Sequence, residues 1–509
     1  MDNNLFRNLD RLTQYGIDVG LIPSNERIYV TNLLIDLLGM NYYDQRWIYD
    51  DELSKEIALR PGFVLHDILS KILDNAIDRK LIDEDFSCRE IFSTKLMNTM
   101  VQRPNQIINR FWKDYCLSAS VATSNFFQYS MNTNYINRYR LSQDLRWETQ
   151  TTYGALQILV SLTKPELEPK AIAKARTHKT NGYPSCALCK ENEGYAGRFD
   201  FAARQTHRII PLTLCGTEYY FQFSPYQYME EHCIVFTKQH IPMLIDENKI
   251  KTMFAFLDLF PHYFIGSNAD LPYVGGSVLS HEHFQGGKHE LPILKATPMK
   301  VFEHDDVSEV AILNWPLSTI RIIGRDSNAI ALVAGKIIER WRNYTNLNLG
   351  IDAGEDHNFH NTMTPLGYKN EGKYILFLML RNNKTTKERT EGIFHTNPIR
   401  YHIKKEGIGI IDAPGLAIMP SRLKEEFQII KKILITGESI EQFPEIQTHW
   451  SWIESMRVRH EFSVDTIQGI IQDEIGFIFK AMLEDCGVFK QSNEGQLAFE
   501  EFVSACMTI

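Results

Sequence analysis

Two histidines and a glutamine, His281, His283 and Gln285, occupy alternate positions directly after a glycine-containing segment. In an extended chain alternate side chains share one face, so these two imidazoles and the amide would project together. A neutral imidazole is a good nucleophile near pH 7, and glycines such as Gly275 and Gly276 let a phosphate approach the backbone. The pattern therefore predicts attack on phosphorus. The alternative interpretation is a strand that carries two histidines by chance.

A second chemical pattern lies upstream, where Cys186 and Cys189 form a C-x-x-C pair. Such a turn can supply two thiolates to zinc, and His240 and His281 could complete a tetrahedral site. Two other interpretations stay open, namely a redox pair, for which no thioredoxin-like context is present, and two reduced thiols in a tight turn. The other cysteines are scattered through the chain and are interpreted as small hydrophobic residues of the core.

The apolar periodicity indicates which elements would position these residues. Apolar residues recur at helical spacing up to about residue 150, and they do so again after residue 420. Between these regions, short apolar runs typical of strands alternate with two predicted helices, over residues 250–263 and 328–344. We therefore predict four regions: a helical amino-terminal region (1–150), a catalytic half (151–300), a second half (301–420) and a helical carboxy-terminal region (421–509).

The central region repeats one supersecondary unit. A proline, a strand, a helix and a further strand follow one another over residues 225–283, and again over residues 316–380. The same order twice predicts a duplication. The last strand of the second copy has no H-x-H, so only the first copy would keep the chemistry. The predicted fold class is α+β, with a duplicated antiparallel sheet core between helical regions.

Composition limits the class of function. The chain has 509 residues, 44% hydrophobic residues, 23% charged residues and a net charge of −9, which is ordinary for a globular protein with a large core. The acidic balance argues against broad nucleic-acid binding. No secretory signal and no apolar run long enough to cross a membrane is visible, so we expect a cytoplasmic protein without a membrane partner.

The stretch from Glu231 to His240, a helix after it, and then His281-x-His283-x-Gln285 together resemble the histidine-triad superfamily of nucleotidyl transferases and hydrolases. The ending H-x-H-x-Q is similar to the galactose-1-phosphate uridylyltransferase branch of that superfamily. Further segments resemble its second bacterial class, called type II, and they cover most of the chain; these segments are 26–30, 183–189, 194–198, 203–208, 402–406 and 415–420.

The resemblance implies a function. The enzyme would exchange uridylyl between UDP-glucose and galactose 1-phosphate, with His283 as the nucleophile that forms a covalent uridylyl-histidine. Gln285 would donate an N–H to the phosphate oxygens without activating water. The resemblance also implies a structural zinc ion on Cys186, Cys189, His240 and His281, and a homodimer. Two other functions stay open: a nucleotide-sugar or dinucleoside-polyphosphate phosphorylase that uses inorganic phosphate, and a non-catalytic zinc-stabilised nucleotide-binding protein.

Several polar residues could bind the diphosphate of the substrate. Asn268 and Ser277 lie just upstream of the histidines and could donate hydrogen bonds, although both residue types are also common in turns. Arginine can pair with a phosphate in bidentate fashion, but a surface salt bridge is an equally good interpretation for any single one. The candidate arginines are Arg198, Arg204, Arg208 and Arg381.

Overall fold

The computed structural model describes residues 3–44, 51–163, 182–275, 278–355 and 358–507, with the backbone alone for Asn3 and Asp51. Its first part is helical, as the apolar spacing predicts. Polar caps begin three of these helices: the carboxylate of Asp85 accepts the N–H of Cys88, the hydroxyl of Ser118 accepts that of Val121, and the amide oxygen of Asn137 accepts that of Arg140. The helices are α1 (Asn3–Asp18), α2 (Arg27–Leu37), α3 (Asp51–Leu59), α4 (Pro61–Asp78), α5 (Phe86–Asn98), α6 (Pro104–Tyr115), α7 (Ala119–Asn132) and α8 (Arg138–Leu141).

A hairpin follows the helices, formed by β1 (Leu145–Thr151) and β2 (Gly154–Val160). The central sheet comes next, and ten strands within the described residues form it. In chain order these strands are β3 (Ile210–Leu214), β4 (Thr217–Phe223), β5 (Cys233–Thr237), β6 (Phe264–Gly266), β7 (His283–Gly287), β8 (Pro298–Phe302), β9 (Glu309–Leu313), β10 (Thr319–Gly324), β13 (Asn361–Asn370) and β14 (Lys373–Asn382), while β11 (Gly354–Glu355) and β12 (Asn358–Phe359) form a separate pair.

The order of the strands across the large sheet confirms the predicted duplication. The order is β3-β4-β5-β7-β6-β13-β14-β10-β9-β8. From its outer edge to the middle of the sheet, the first half runs β3-β4-β5-β7-β6 and the second runs β8-β9-β10-β14-β13, which is the same arrangement. Each half consists of three antiparallel strands in a row, one helix, and two more strands. The halves meet where β6 pairs with β13, which places Gly266 opposite Leu366. The last strand of the second half, β14, lacks histidine, as expected.

The helix of each half lies close to its predicted position. The first, α9, covers Glu247–Leu259, and the second, α10, covers Ser327–Arg342. The prediction that α9 extends to residue 263 is wrong by one turn. Phe260 takes φ −130° and ψ 69°, which leaves the helical region, and the chain then turns into β6.

The carboxy-terminal part is helical after β15 (Leu416–Met419), which pairs with β2 in parallel. Its helices are α11 (Leu423–Thr436), α12 (Trp450–Arg459), α13 (Ile467–Cys486) and α14 (Asn493–Met507). These bounds agree with the return of helical spacing after residue 420. The four regions, with boundaries near residues 150, 300 and 420, remain our proposal for how the chain divides.

Two hydrophobic cores lie on opposite faces of the sheet. One face carries Phe221, Val235 and Phe284, and it packs with α9, α10 and the amino-terminal helices. On the other face, Phe377 and Met379 of the second half pack with the carboxy-terminal region. The first half is different, because the corresponding face of β4, β5 and β7 belongs to neither core. This half-open face is where the candidate site lies.

Within the residues that the structure describes, there is no helix with the length and apolar character needed to cross a membrane.

The packing of α13 on the hairpin makes a prediction about stability. A Cβ at Gly476 would lie 2.3 Å from the Cβ of Thr149 on β1, so Gly476→Ala must push the helix off the strand. We expect it to lower the free energy of unfolding by about 2 kcal/mol. Gly469 lies on the same helix with nothing within 4 Å of the corresponding position. Gly469→Ala should therefore raise that free energy by about 0.5–1 kcal/mol.

Denaturant unfolding of the two variants beside the parent protein measures both effects. Equal stabilities for Gly476→Ala and Gly469→Ala would show that α13 does not pack on β1 in this way.

Candidate active site and metal centre

Strand β7 presents the nucleophile candidate on the half-open face. His283 and Gln285 lie opposite Phe236 and Ile234 of β5, and directly opposed residues in an antiparallel pair share a face. Phe284, between them, points into the core on the other face. The predicted alternation therefore holds for His283 and Gln285, whereas His281 precedes the strand.

Glu282 is bound on the far side of the sheet and helps to fix the segment before β7. Its carboxylate accepts a hydrogen bond from the hydroxyl of Tyr219 (2.6 Å) and pairs with the ammonium group of Lys249 (2.5 Å). Its main chain bonds to Thr237 and Ile241. The carboxylate of Glu282, a residue that is 3% exposed, therefore has its partners within the protein. Neither His281 nor His283 has to pair with it, so both imidazoles remain free to act in the site.

His283 is held as a neutral imidazole with a fixed tautomer. Its Nδ1 donates to the main-chain carbonyl of His281 at 2.8 Å, which leaves the lone pair on Nε2. Among the described residues, Nε2 has no hydrogen-bond partner. Burial lowers the pKa of His283 to about 4, although the bond to the carbonyl opposes this shift. The imidazole is therefore uncharged near pH 7.

Gln285 is joined to a further histidine that the sequence analysis did not assign to the site. Its Oε1 lies 3.0 Å from Nε2 of His232, and Nδ1 of His232 lies 2.6 Å from the carbonyl oxygen of Tyr226. The amide nitrogen of Gln285 makes no hydrogen bond with a described residue. The amide thus has one end fixed and one end directed to the half-open face.

Cys186, Cys189, His240 and His281 converge as the sequence analysis predicts, with their ligand atoms within 4.8 Å of one another. Sγ of Cys186 lies 3.2 Å from Nδ1 of His281, and Sγ of Cys189 lies 3.2 Å from Nδ1 of His240. The two sulfurs are 3.5 Å apart. Neighbouring ligands around a tetrahedral zinc ion lie about 3.5–3.8 Å apart, so the group fits such an ion with small adjustments.

The surroundings of this group support a metal. Nε2 of His281 lies 2.9 Å from the carbonyl of Thr237, which directs Nδ1 to the cysteines. The amide of Asn192 donates to the carbonyls of Cys186 and Cys189 and thereby holds the turn. Burial acts to raise the pKa of Cys186, but hydrogen bonds from His281, from the main chain of Leu188 and from Cys189 together outweigh it, and the net shift is downward. Burial and the neighbouring Cys186 raise the pKa of Cys189 to about 12.

Asn268 lies just after β6, the strand that pairs with β7, and its amide nitrogen is free to donate a hydrogen bond. Its Oδ1 accepts the N–H of Ile410 at 2.9 Å, and its amide nitrogen has no hydrogen bond with a described residue. The side chain is 4% exposed, so the bond fixes it in place. Ser277, the other predicted donor, lies outside the described residues.

Arg381 is on the same sheet face as Gln285. Across the sheet, Gln285 on β7 lies opposite Gly266 on β6, which lies opposite Leu366 on β13, and Leu366 lies opposite Phe377 on β14. Arg381 follows Phe377 by four residues on β14, so it lies on the same face. Nη1 of Arg381 donates to the carbonyl of Ile408 at 2.9 Å, and Nε has no partner among the described residues. This guanidinium is 1% exposed and forms no ion pair with a described carboxylate.

The other three arginines lie in the segment before β3. Arg198 pairs with Asp200 at 2.7 Å and stacks on Phe201. Arg204 lies over the ring of Tyr135 and forms no ion pair within the described part of the chain. Arg208 is buried and donates to three main-chain carbonyls, which ties this segment to the loop before α6. None of the three bonds to His283 or Gln285 among the described contacts.

Sequence reasoning did not assign a role to His232. His232 is two residues before Ile234, so the two share a face in an extended segment, but only the register between β5 and β7 places that face beside Gln285. The carbonyls of His281 and Thr237, which orient the two histidine rings, have no signal in the sequence at all.

The arrangement suits nucleophilic attack on phosphorus. A neutral imidazole with a fixed tautomer needs no base to activate it, and an adjacent amide can meet the phosphoryl oxygens. His281 of the Cys–His group lies two residues before His283, where a bound metal can stabilise the backbone that presents this candidate nucleophile.

Comparison with known proteins gives results over almost the whole chain. The family model described as galactose-1-phosphate uridyl transferase, N-terminal domain, matches residues 22–242. A galactose-1-phosphate uridylyltransferase of Clostridium acetobutylicum is 38% identical, covering 97% of this chain and 99% of its own. One of Caldanaerobacter subterraneus subsp. tengcongensis is 39% identical, covering 97% and 96%. The solved yeast Ap4A phosphorylase Apa2 with Ap4A gives a TM-score of 0.36 at 9% identity, covering 63% of this chain and 91% of that one.

Proposed function

Because the chain belongs to the galactose-1-phosphate uridylyltransferase family, we propose that it transfers uridylyl from UDP-glucose to galactose 1-phosphate, giving glucose 1-phosphate and UDP-galactose. The observation that carries this proposal is the identity of 38–39% over nearly the full length of both relatives. The competing function is a phosphorylase that uses inorganic phosphate. Incubating the protein with UDP-glucose and either galactose 1-phosphate or inorganic phosphate separates the two, and UDP-galactose is the expected product.

In the proposed mechanism, Nε2 of His283 attacks the α-phosphorus of UDP-glucose. The N–P bond forms as the bond from that phosphorus to the bridging oxygen breaks, and the electron pair leaves with glucose 1-phosphate. A phosphate oxygen of galactose 1-phosphate then attacks the same phosphorus and releases Nε2. No proton has to reach either leaving group. The bond from Nδ1 to the carbonyl of His281 supports this role, since it keeps Nε2 free of a proton.

Gln285 is proposed to donate its amide N–H groups to the non-bridging oxygens as charge moves during attack. An amide is no general base near neutral pH, so it would not activate water against the uridylyl-histidine. This property favours transfer over hydrolysis.

The remaining substrate contacts are proposals of different strength. The free amide nitrogen of Asn268 and the unpaired guanidinium of Arg381 support phosphate binding at these two positions. Arg204 stays a candidate because it forms no ion pair with a described residue. Arg198 and Arg208 already bond to protein groups, which favours a structural role for both. Ser277, the homodimer and the cytoplasmic location stay predictions.

Zinc is the metal proposed for Cys186, Cys189, His240 and His281, because two sulfurs and two imidazoles at these separations suit its tetrahedral preference. Cys186 and Cys189 would hold such an ion from the C-x-x-C turn, with His240 after β5 and His281 before β7, and it would supply a cross-link between these segments. The proposed role is to stabilise the backbone carbonyl that orients His283.

The covalent intermediate makes the first prediction about activity. Protein incubated with UDP-glucose labelled in the α-phosphate should gain a label that is labile in acid and stable in base, and galactose 1-phosphate should remove it. His283→Ala should gain no label and lose exchange by at least about a thousandfold. Initial-rate lines should be parallel, because both sugar phosphates use one pocket in turn.

His289→Ala is the matched control, since His289 follows the same strand and bonds only to Gln157 among the described residues. It should keep label and exchange. Intersecting rate lines, or full labelling of His283→Ala, would place the nucleophile elsewhere.

Replacing Gln285 tests the preference for transfer. Gln285→His introduces a general base near the phosphoryl group, so exchange should fall by about tenfold to a hundredfold and release of UMP from UDP-glucose should rise. Gln150→His, at an exposed position of β1, is the control and should change neither rate. Normal exchange with no increase in UMP release would show that Gln285 does not have this role.

Zinc content tests the proposed metal. Chelator-washed protein should retain about one zinc ion per chain, as expected for a closed four-ligand site. Cys189→Ser should lose the metal and melt at a lower temperature, while Cys116→Ser, at an exposed cysteine outside the group, should keep both properties. A metal-free parent protein with full activity and an unchanged melting temperature would contradict the proposal.

A further inference from the structure

His232 is a buried residue to which nothing described above gives a chemical role. It lies directly before β5 with 2% of its surface exposed. Its two ring nitrogens contact the carbonyl oxygen of Tyr226 at 2.6 Å and Oε1 of Gln285 at 3.0 Å. It is the described side chain that bonds directly to Gln285.

The turn between β4 and β5 holds the His232 ring in one place. Gln227 spans this turn: its Oε1 accepts the N–H of His232 at 2.9 Å, and its Nε2 donates to the carbonyls of Ser224 and His232. The ring of Tyr228 stacks on the imidazole, with centroids 5.1 Å apart and planes 28° apart. These contacts leave the ring little freedom to turn, so it can set the position of whatever it binds.

The balance of donors and acceptors decides which end of the Gln285 amide faces the substrate. The Tyr226 carbonyl can only accept, so Nδ1 of His232 carries a hydrogen. Oε1 of Gln285 can also only accept, so its contact with Nε2 requires a second hydrogen on the ring. With that hydrogen the amide NH2 of Gln285 is directed to the half-open face. A neutral ring would instead accept from the NH2 group and turn Oε1 of Gln285 toward the phosphate, where two acceptors would meet.

We propose that His232 is the positioning residue for Gln285, and that in the productive state both of its ring nitrogens donate, so that the amide NH2 faces the phosphoryl group. This inference rests on the proposed function, because only a phosphoryl acceptor in the site needs that orientation of the amide.

The charges around the ring fit this state only when substrate is bound. Burial lowers the pKa of His232, although its contacts with Tyr226 and Gln285 both oppose the shift. The carboxylate of Glu231, next in sequence, is directed away to Tyr263 and Ser124. From β1, Arg146 bonds to the carbonyls of the turn, and the stacked ring of Tyr228 is un-ionised because burial raises its pKa. The negative charge that favours the second proton therefore comes from the nucleotide.

A double-mutant cycle tests the proposal, because a residue that acts through Gln285 has nothing to act on once Gln285 is removed. His232→Phe keeps a ring against Tyr228 and removes both donors. We expect it to lower kcat for sugar exchange by about tenfold or more with less than about a threefold change in KM. In a Gln285→Ala background the same substitution should lower kcat by less than about threefold.

A second buried histidine–glutamine pair in the same half provides a matched control. Nε2 of His207 lies 2.9 Å from Oε1 of Gln222 on β4, and His207 has no described contact with Gln285. His207→Phe should combine with Gln285→Ala multiplicatively in kcat. Melting temperatures of all variants establish that they are folded, and if His232→Phe does not fold, His232→Asn takes its place in the cycle.

The outcomes separate this proposal from the one on which it rests. Parent protein that makes no UDP-galactose contradicts the proposed function itself. Parent protein that exchanges sugars, together with losses for His232 and Gln285 that multiply in the double variant, contradicts only the positioning role. Loss at His232 that disappears in the Gln285→Ala background, while the His207 control still multiplies, supports it.

Discussion

The hydrogen bond from Nδ1 of His283 to the carbonyl of His281 is the constraint on which the site depends. It joins the tautomer of the candidate nucleophile to the main chain of a metal-ligand candidate two residues earlier. The position of that carbonyl is set in turn by the bond of His281 to Thr237 and by the buried carboxylate of Glu282 on the other side of the sheet. A nucleophile of this kind needs no charged partner, and its neutrality follows chiefly from burial.

The two halves of the duplicated sheet differ in how their faces are covered. In the second half both faces of the sheet are covered, and β14 carries apolar side chains where β7 carries His283 and Gln285. In the first half one face is left half-open. The same arrangement of strands and helix therefore forms a core in the second half and a candidate reactive surface in the first. The carboxy-terminal helices cause this difference, because they cover this face of the sheet in the second half only.

Local patterns predicted the local features of this protein. Alternation in the H-x-H-x-Q segment correctly placed His283 and Gln285 on one face, and the repeated order of elements predicted the duplicated sheet. The end of α9 was missed because apolar spacing continues past Phe260, where the backbone leaves the helix. The pairing of Gln285 with His232 joins positions 53 residues apart through strand register, which a single sequence does not reveal. The shared face of Gln285 and Arg381 depends on register in the same way.

The contact between Asn268 and Ile410 spans 142 residues, and nearby a Cβ on Gly275 would lie 2.2 Å from the carbonyl of Ile408. The loop around residue 408 therefore packs directly on the glycine segment that precedes the histidines, with Gly275 at φ +99°. Contacts so distant in sequence form late, after the loops between them have closed. During synthesis, the histidine strand emerges long before the residues that close over it. A nascent chain therefore acquires a complete site only once it has been made past residue 410.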